Sequence, residues 1–211
     1  MLSKSASTLE ELVINNNNIS DLSPLNKCEK LHTLSADNNG ILFADVISSF
    51  SALKVISLQS NKFNSIGSLD NLKGVTHLDL SGNNLVDTES LKNIEFDKYA
   101  FLDLSNNKIS SMTLPPNSIY NTLAIHGNNI KNIEQINNLS ANKILFNYSE
   151  NIDFSKIKKD NFNDFYLVNC PLDKRLSVEE ALGGAQNVTH VTPDEADNTI
   201  KDTNEHLFHY N

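Results

Sequence analysis

The sequence predicts a repeat protein of the α/β class, a solenoid with a curved parallel β-sheet on its concave face. Irregular segments, 3-10 turns and short helices are expected on its convex face. Three observations predict this fold: apolar residues recur at fixed offsets, an Asn follows them at a fixed position, and the pattern returns at a nearly constant period. The clearest copy is V-T-H-L-D-L-S-G-N-N-L at residues 75–85. We expect about eight coils and an irregular C-terminal cap.

Each copy places apolar side chains at offsets 0, 3 and 5 and an apolar residue at offset 10. Offsets 3 and 5 lie on one face of a short strand and point into the coil, whereas offsets 2, 4 and 6 point outward. Successive copies start 22, 22, 22, 24, 21, 21 and 21 residues apart. The copies begin at Leu9, Leu31, Leu53, Val75, Tyr99, Tyr120, Ala141 and Phe162.

The Asn at offset 8 is predicted to be structural. Where the strand ends, the turn removes backbone groups from the hydrogen bonds of the sheet, and an Asn amide carries donors and an acceptor that can satisfy them. Ser149 and Cys170 stand at this position in the last two copies. The predicted ladder consists of Asn17, Asn39, Asn61, Asn83, Asn107 and Asn128.

This frame, L-x-x-L-x-L-x-x-N-x-I, resembles the strand segment of leucine-rich repeats. The segment 18–25, N-I-S-D-L-S-P-L, is similar to the 22-residue class found in bacterial internalins and in a regulatory subunit of eukaryotic protein phosphatase 1. Segments after Ile41, Leu85 and Ile109 depart from this form. The internalin resemblance implies a non-catalytic module of a bacterial cell-surface or secreted protein that binds a host or cell-envelope protein. The phosphatase resemblance implies an intracellular scaffold or regulator.

Three segments are expected. Residues 1–8 form an N-terminal tail or truncated cap, residues 9–176 form the solenoid, and residues 177–211 form the C-terminal cap and tail.

Within the expected cap, the sequence predicts two helices and a strand. S-V-E-E at 177–180 has the pattern of a capping box, with Gly183 and Gly184 as the stop. T-P-D-E at 192–195 predicts a second helix start. N-V-T-H-V at 187–191 predicts a short strand between them.

Composition excludes several classes of partner. The net charge of -9 disfavours nucleic acids and anionic membranes. No apolar run approaches the roughly 20 residues that span a bilayer, so we expect no membrane insertion. Cys28 and Cys170 lie about seven coils apart and are expected to be free thiols. We expect a monomer without a cofactor, located outside the cell or at its surface, with the cytoplasm as the alternative.

Candidate binding residues come from the concave face, whose outward positions are small and polar in the N-terminal half and apolar or aromatic in the C-terminal half. Exposed aromatic side chains anchor many protein interfaces. The alternative is that they pack on one another or under the C-terminal cap. The candidate ligand-binding residues are His77, Asp79, Phe101, Asp103, His126, Leu145, Tyr148, Tyr166 and Val168.

An enzymatic alternative rests on Asp79 and Asp103, which should stand on adjacent strands about 4.8 Å apart. Two close carboxylates can have divergent pKa values or hold a divalent cation. Against this, L-D-L-S is a frequent filler of the repeat strand, and a shallow concave face does not exclude water. We therefore expect a solvated acidic ladder, and we assign neither catalytic nor metal-binding residues.

Overall fold

The computed structural model describes residues 6–184 and 187–204. Its centre is one nine-stranded sheet in which every strand pairs in parallel with the next along the chain. This arrangement confirms the predicted solenoid: eight strands belong to the eight expected coils, and the ninth is the short strand predicted at residues 187–191. The strands are β1 Glu11–Val13, β2 Thr33–Ser35, β3 Val55–Ser57, β4 Lys73–Asp79, β5 Glu95–Asp103, β6 Ile119–Ala124, β7 Ser140–Asn147, β8 Phe162–Val168 and β9 Val188–Val191.

The offset-3 side chains form a continuous buried row because the strands pair in the register that the repeat predicts. Leu34 pairs with Ile56, Ile56 with Leu78, and Leu78 with Leu102. All four are completely buried. The interior is therefore a stack of equivalent apolar layers, and each coil supplies one layer.

The convex side consists largely of 3-10 turns, which shorten the return path between parallel strands. Leu25, Ile47 and Leu91 lie in these turns and point into the core. The described 3-10 turns are Ala6–Thr8, Ser23–Leu25, Asp45–Ser49, Glu89–Leu91, Ile133–Ile136, Phe154–Lys156, Lys159–Asn161 and Leu172–Lys174.

The fifth coil departs from the predicted frame. Tyr99 holds the apolar first position of its copy, but it is 51% exposed and has a φ of 66°. Ala100 instead pairs with Tyr120, and the Phe96 ring packs edge-on against Tyr120 at 5.3 Å. The spacing before this copy is 24 residues instead of 22. Strand β5 accommodates the two extra residues as an irregularity, which shifts its pairing with β4 and β6.

The first helix, α1, spans Arg175–Ala181. The predicted capping box at Ser177 is wrong, because a 3-10 turn leads directly into α1 and the N-cap is Lys174, three residues earlier. The Ser177 Oγ donates to the Lys174 carbonyl at 2.8 Å instead.

The strand and the second helix predicted for this region are present. Strand β9 pairs with β8, so the cap extends the sheet. Helix α2 spans Pro193–Asn204. The Thr192 amide donates to Glu195 Oε2 at 2.8 Å, and the Glu195 amide donates to Thr192 Oγ1 at 3.3 Å. These reciprocal bonds form a complete capping box.

Some expectations fall outside the described ranges. They concern residues 1–5 of the N-terminal segment and residues 205–211 of the tail. Within the ranges that are described, no helix has the length and apolar character needed to cross a membrane.

Candidate functional site

The Asn ladder stabilises the turns between coils. Each ladder side chain from Asn39 to Asn128 donates from Nδ2 to three backbone carbonyls, two in its own turn and one in the preceding coil. Asn107, for example, donates to the carbonyls of Leu80, Leu104 and Ser105 at 3.0–3.1 Å, and its Oδ1 accepts from the Leu85 amide. The same three-carbonyl pattern occurs at Asn39, Asn61, Asn83 and Asn128.

Asn17 differs from the other ladder residues. It is exposed, and its Nδ2 donates only within its own coil, to the carbonyls of Ile14 and Asn15. In Asn17 and the other members alike, the side-chain amide is used to close the turn. The ladder therefore holds the scaffold on which the concave face is displayed.

Helix α2 lies on the C-terminal half of the concave face. A second hydrophobic cluster, separate from the main core, joins Ala196 and Ile200 of α2 to side chains of β5–β8. We call the sheet side of this cluster the covered strip. It consists of Phe101, Ala124, Leu145, Tyr166 and Val168.

Burial under α2 corrects the expectation that the apolar residues of this face are exposed anchors. Phe101 is 5% exposed, Leu145 is fully buried, and Val168 is 1% exposed. Tyr166 is partly buried at the edge of the strip, where the Lys143 Nζ lies 5.5 Å from its ring centroid. The alternative that these side chains pack together under the cap is therefore the one that the structure shows.

Tyr148 does not join this group. It follows β7, at the point where the chain turns away from the concave face. Its partly buried ring packs against the main core and stacks on Phe154 at 6.0 Å.

A polar contact also holds α2 to the sheet. His126 is 1% exposed, and its Nε2 lies 3.0 Å from Oδ1 of Asp197 on α2. The Asn106 Nδ2 donates to the same oxygen at 3.3 Å. Burial lowers the pKa of His126, and the nearby Asp197 carboxylate opposes part of that shift. The His126 ring is therefore a buried partner of α2.

Asp79 and Asp103 lie on adjacent strands, as predicted, and are paired in register between β4 and β5. They are not solvated, because only 5% and 2% of each residue is exposed. Asp79 Oδ1 accepts from both the amide and Oγ of Ser81, at 2.9 and 2.6 Å. Asp103 Oδ1 accepts from the Ser105 amide at 2.8 Å. The expected solvated ladder is therefore a buried, hydrogen-bonded row.

Burial has a large effect on the acidity of this row. Loss of hydration raises the pKa of Asp79 to about 6, and the charge of Asp37 adds to the effect. Burial likewise raises the pKa of Asp103 well above its usual value, with a further contribution from Asp79. Burial raises the pKa of Asp37, although hydrogen bonds from Ser57 and Gln59 oppose it. The carboxylates therefore stand close enough to repel one another.

His77 packs beside these carboxylates on the concave face. Its ring stacks on Phe101 with centroids 4.4 Å apart and planes inclined by 6°. Burial lowers the pKa of His77 to about 4, so the ring is neutral at neutral pH. His77 therefore adds no positive charge to balance the neighbouring acids.

A pocket of about 580 Å³ separates α2 from the strands of the second to fifth coils. Its floor includes Asp37, Asp79 and Asp103, and its α2 wall includes Asp197 and Lys201. We call it the acidic pocket, since four of its lining residues are acidic and one, Lys201, is basic. Across the described residues, no group of three or more His, Cys, Asp or Glu side chains is placed to hold a metal ion.

Sequence reasoning found Asp79, Asp103 and His77 but missed Asp37 and Asp197. Asp37 stands at offset 6 of the second coil, an outward position whose content varies from coil to coil. Asp197 reaches its place only because α2 folds back over the sheet. The repeat position of Asp37 could therefore have identified it as a residue of this face, whereas no sequence pattern placed Asp197 near the sheet.

Two family models match the chain. A model described as Leucine Rich repeats (2 copies) matches residues 7–49, and one described as Leucine Rich Repeat matches residues 74–95. Comparison with curated proteins gives no match. Regions of this kind are in general non-catalytic scaffolds that bind proteins. Together, the nine-stranded parallel sheet, the Asn ladder and these matches identify the fold as a leucine-rich repeat solenoid.

Proposed function

We propose that the chain is a non-catalytic module that binds a protein through its concave face, and that the partner inserts a basic side chain into the acidic pocket. The observation that carries this proposal is the excess of acidic residues in the pocket lining, where Asp37, Asp79, Asp103 and Asp197 stand against one basic residue, Lys201. An entering ammonium or guanidinium group favours ionised carboxylates and relieves their mutual repulsion. The partner is therefore expected to be basic at its contact surface.

The strands beside the pocket provide the rest of the proposed surface. Val13 of β1 is 42% exposed, Glu11 is exposed, and Val55 of β3 is half-buried. Their backbones are held by sheet pairing and by the Asn ladder. Binding to a surface that is already ordered loses little conformational entropy. A rigid, mildly apolar floor beside an acidic pocket suits a protein partner.

The proposed location is a bacterial cell surface or the extracellular space, as in internalins. The segment 18–25 and a composition rich in Asn and poor in Arg support it. One observation favours the alternative of an intracellular scaffold: Cys28 and Cys170 are both free, buried thiols. The two locations imply different partners.

The test is an affinity capture with the full chain as bait, run in parallel against host-cell surface proteins and bacterial lysate. The captured protein is then titrated against wild type, Asp37→Asn, and the control Asp45→Asn on an exposed convex turn. We expect Asp37→Asn to weaken binding about tenfold at low salt, and less at high salt, because it removes one carboxylate of the pocket. Asp45→Asn should change nothing.

Equal, salt-independent binding by all three baits would overturn the proposed site. Capture from the host-cell surface supports the extracellular location, whereas capture of a cytosolic bacterial protein supports the intracellular scaffold.

A further inference from the structure

Helix α2 is a polar helix with a small apolar contact surface. Ala196 and Ile200, one helical turn apart, are buried against the covered strip. Asp194, Glu195 and Asn198 are exposed on its other faces. The contacts of the helix with the sheet include these two apolar side chains and Asp197, which meets both His126 and Asn106.

The covered strip has the shape of a seat for one helix. Its members step diagonally across four neighbouring strands, with Phe101 on β5, Ala124 on β6, Leu145 on β7 and Val168 on β8. Because neighbouring strands lie about 4.8 Å apart, the diagonal extends about 14 Å across the sheet from β5 to β8. At the same outward offsets, the second and third coils carry mainly small or polar residues such as Ser35, Asp37 and Ser57. The apolar diagonal is therefore a local feature of these coils.

The connection to α2 allows the helix to leave the sheet as a unit. Strand β9 ends at Val191 and α2 begins at Pro193, so Thr192 alone joins them. The capping box between Thr192 and Glu195 lies within the helix start and uses no atom of the covered strip. Undocking of α2 therefore breaks the strip and His126 contacts while the cap stays formed.

We propose that the covered strip is a docking site for an amphipathic helix of a partner protein, and that α2 is its displaceable internal occupant. The docked α2 indicates which residues the partner helix should carry at its contact face. These are a small residue, a carboxylate and a branched aliphatic residue at positions i, i+1 and i+4. These correspond to Ala196, Asp197 and Ile200, which meet the strip and His126. The covered strip contributes no residue to the acidic pocket, but the two sites share α2, because Asp197, Ile200 and Lys201 also line the pocket.

The probe is a fluorescent peptide of the α2 sequence, held helical by a staple between the exposed positions 194 and 198. Its binding is measured by anisotropy to the full chain as wild type and as Ile200→Asp, which places a charge against the apolar strip. We expect Ile200→Asp to vacate the strip and to bind the peptide at least about tenfold more tightly than wild type, whose own helix competes. A peptide carrying Ile200→Asp should bind neither chain.

Hydrogen exchange on the same proteins shows whether only α2 has moved. Ile200→Asp should remove the protection of α2 amides and leave β2–β4 as in wild type, whereas Asn198→Asp on the exposed face should leave both unchanged. Asp197→Ala, which removes the His126 contact and keeps both apolar residues, provides a milder second variant.

Equally weak peptide binding by Ile200→Asp and wild type would overturn the proposal. Loss of protection throughout the sheet in both Ile200→Asp and Asp197→Ala would also overturn it, because α2 would then be an integral part of the fold. Asp37→Asn separates this site from the acidic pocket, since it should leave peptide binding unchanged.

Discussion

Several side chains that the repeat directs outward on the concave face are nevertheless buried. Ser35, Ser57 and Asp79 point away from the interior, yet all are at most 5% exposed. The reason is geometric, because strands about 4.8 Å apart place a neighbour on each side of a short side chain. Carboxylates in this setting lose hydration and gain hydrogen bonds in its place.

The first prediction concerns Asp79→Asn, which keeps an acceptor for the two Ser81 donors and removes the buried charge. The folded-state pKa of Asp79 is raised from 3.8 to about 6. Its stabilising contribution is therefore present below 3.8 and is lost as the pH rises through about 6. At pH 7 we expect Asp79→Asn to raise the free energy of unfolding by about 1–3 kcal/mol.

The measurement is urea unfolding of wild type and variant at pH 7 and pH 4.5. The gain should shrink at the lower pH, where Asp79 itself is largely protonated. Asp160→Asn, at an exposed position, is the control and should change the free energy of unfolding by less than about 0.5 kcal/mol. An equal loss of stability at both pH values would contradict the prediction and show that the Asp79 side chain is needed whether or not it is charged.

At the scale of elements, α2 determines the role of the strip beneath it. Without α2, the repeat would present Phe101, Leu145 and Val168 to solvent as the anchors expected from the sequence. With α2 in place, the strip, Ala196 and Ile200 form one buried cluster. The C-terminal half of the concave face is therefore occupied by the chain itself.

The second prediction compares two Phe residues. Phe101 is 5% exposed and contacts both His77 and the α2 cluster, whereas Phe43 is 73% exposed. We expect Phe101→Ala to lower the free energy of unfolding by about 2–4 kcal/mol, because it removes a buried ring and leaves a cavity. Phe43→Ala should cost less than about 1 kcal/mol.

Thermal and urea unfolding of both variants provide the measurement. Equal, small losses would mean that Phe101 is as accessible in solution as Phe43, which is incompatible with a docked α2.

At the scale of the whole molecule, each coil contacts mainly its neighbours, so stability is distributed along the stack. Strand β4 pairs on both sides, and its inward residues Val75 and Leu78 are completely buried. Strand β1 pairs with β2, and Leu12 at its centre and Ile14 just after it are only partly buried. The first coil therefore has less apolar burial to hold it.

The third prediction is a gradient of hydrogen exchange along the sheet. Amides of β1 should exchange through local opening at least about tenfold faster than those of β4, because fewer buried contacts oppose the opening. Mass-spectrometric hydrogen exchange at neutral pH measures both strands in one experiment. Equal protection in β1 and β4 would instead indicate that the solenoid opens as one cooperative unit.

Much of the scaffold was readable in advance because its causes are local. The offsets predicted the inward rows and the position of the turns, and the role of Asn107 follows from the groups that a turn leaves unpaired. One local signal was overlooked. The residue at offset 7 has a φ between 51° and 66° in seven coils, which suits Asn and Gly. These residues are Asn16, Asn38, Ser60, Gly82, Asn106, Gly127 and Asn169.

Errors arose where local spacing was not the deciding factor. Tyr99 is the first residue of its copy by spacing, but two extra residues in its coil are absorbed as a bulge inside β5, and Ala100 pairs with Tyr120 instead. Ser177 has the pattern of a helix start, but a preceding 3-10 turn had already begun α1. In both cases the neighbouring segment decided between two conformations that the local sequence allows.

The sequence by itself determined the solenoid, its parallel sheet, its Asn ladder and the start of α2, because each follows from residue types at short, repeated spacings. Only the tertiary structure decided which outward residues are accessible. His126 and Asp197 are 71 residues apart, and no periodic pattern connects them. The docking of α2 depends on shape and burial across four coils, so it buries the covered strip and leaves the acidic pocket beside it.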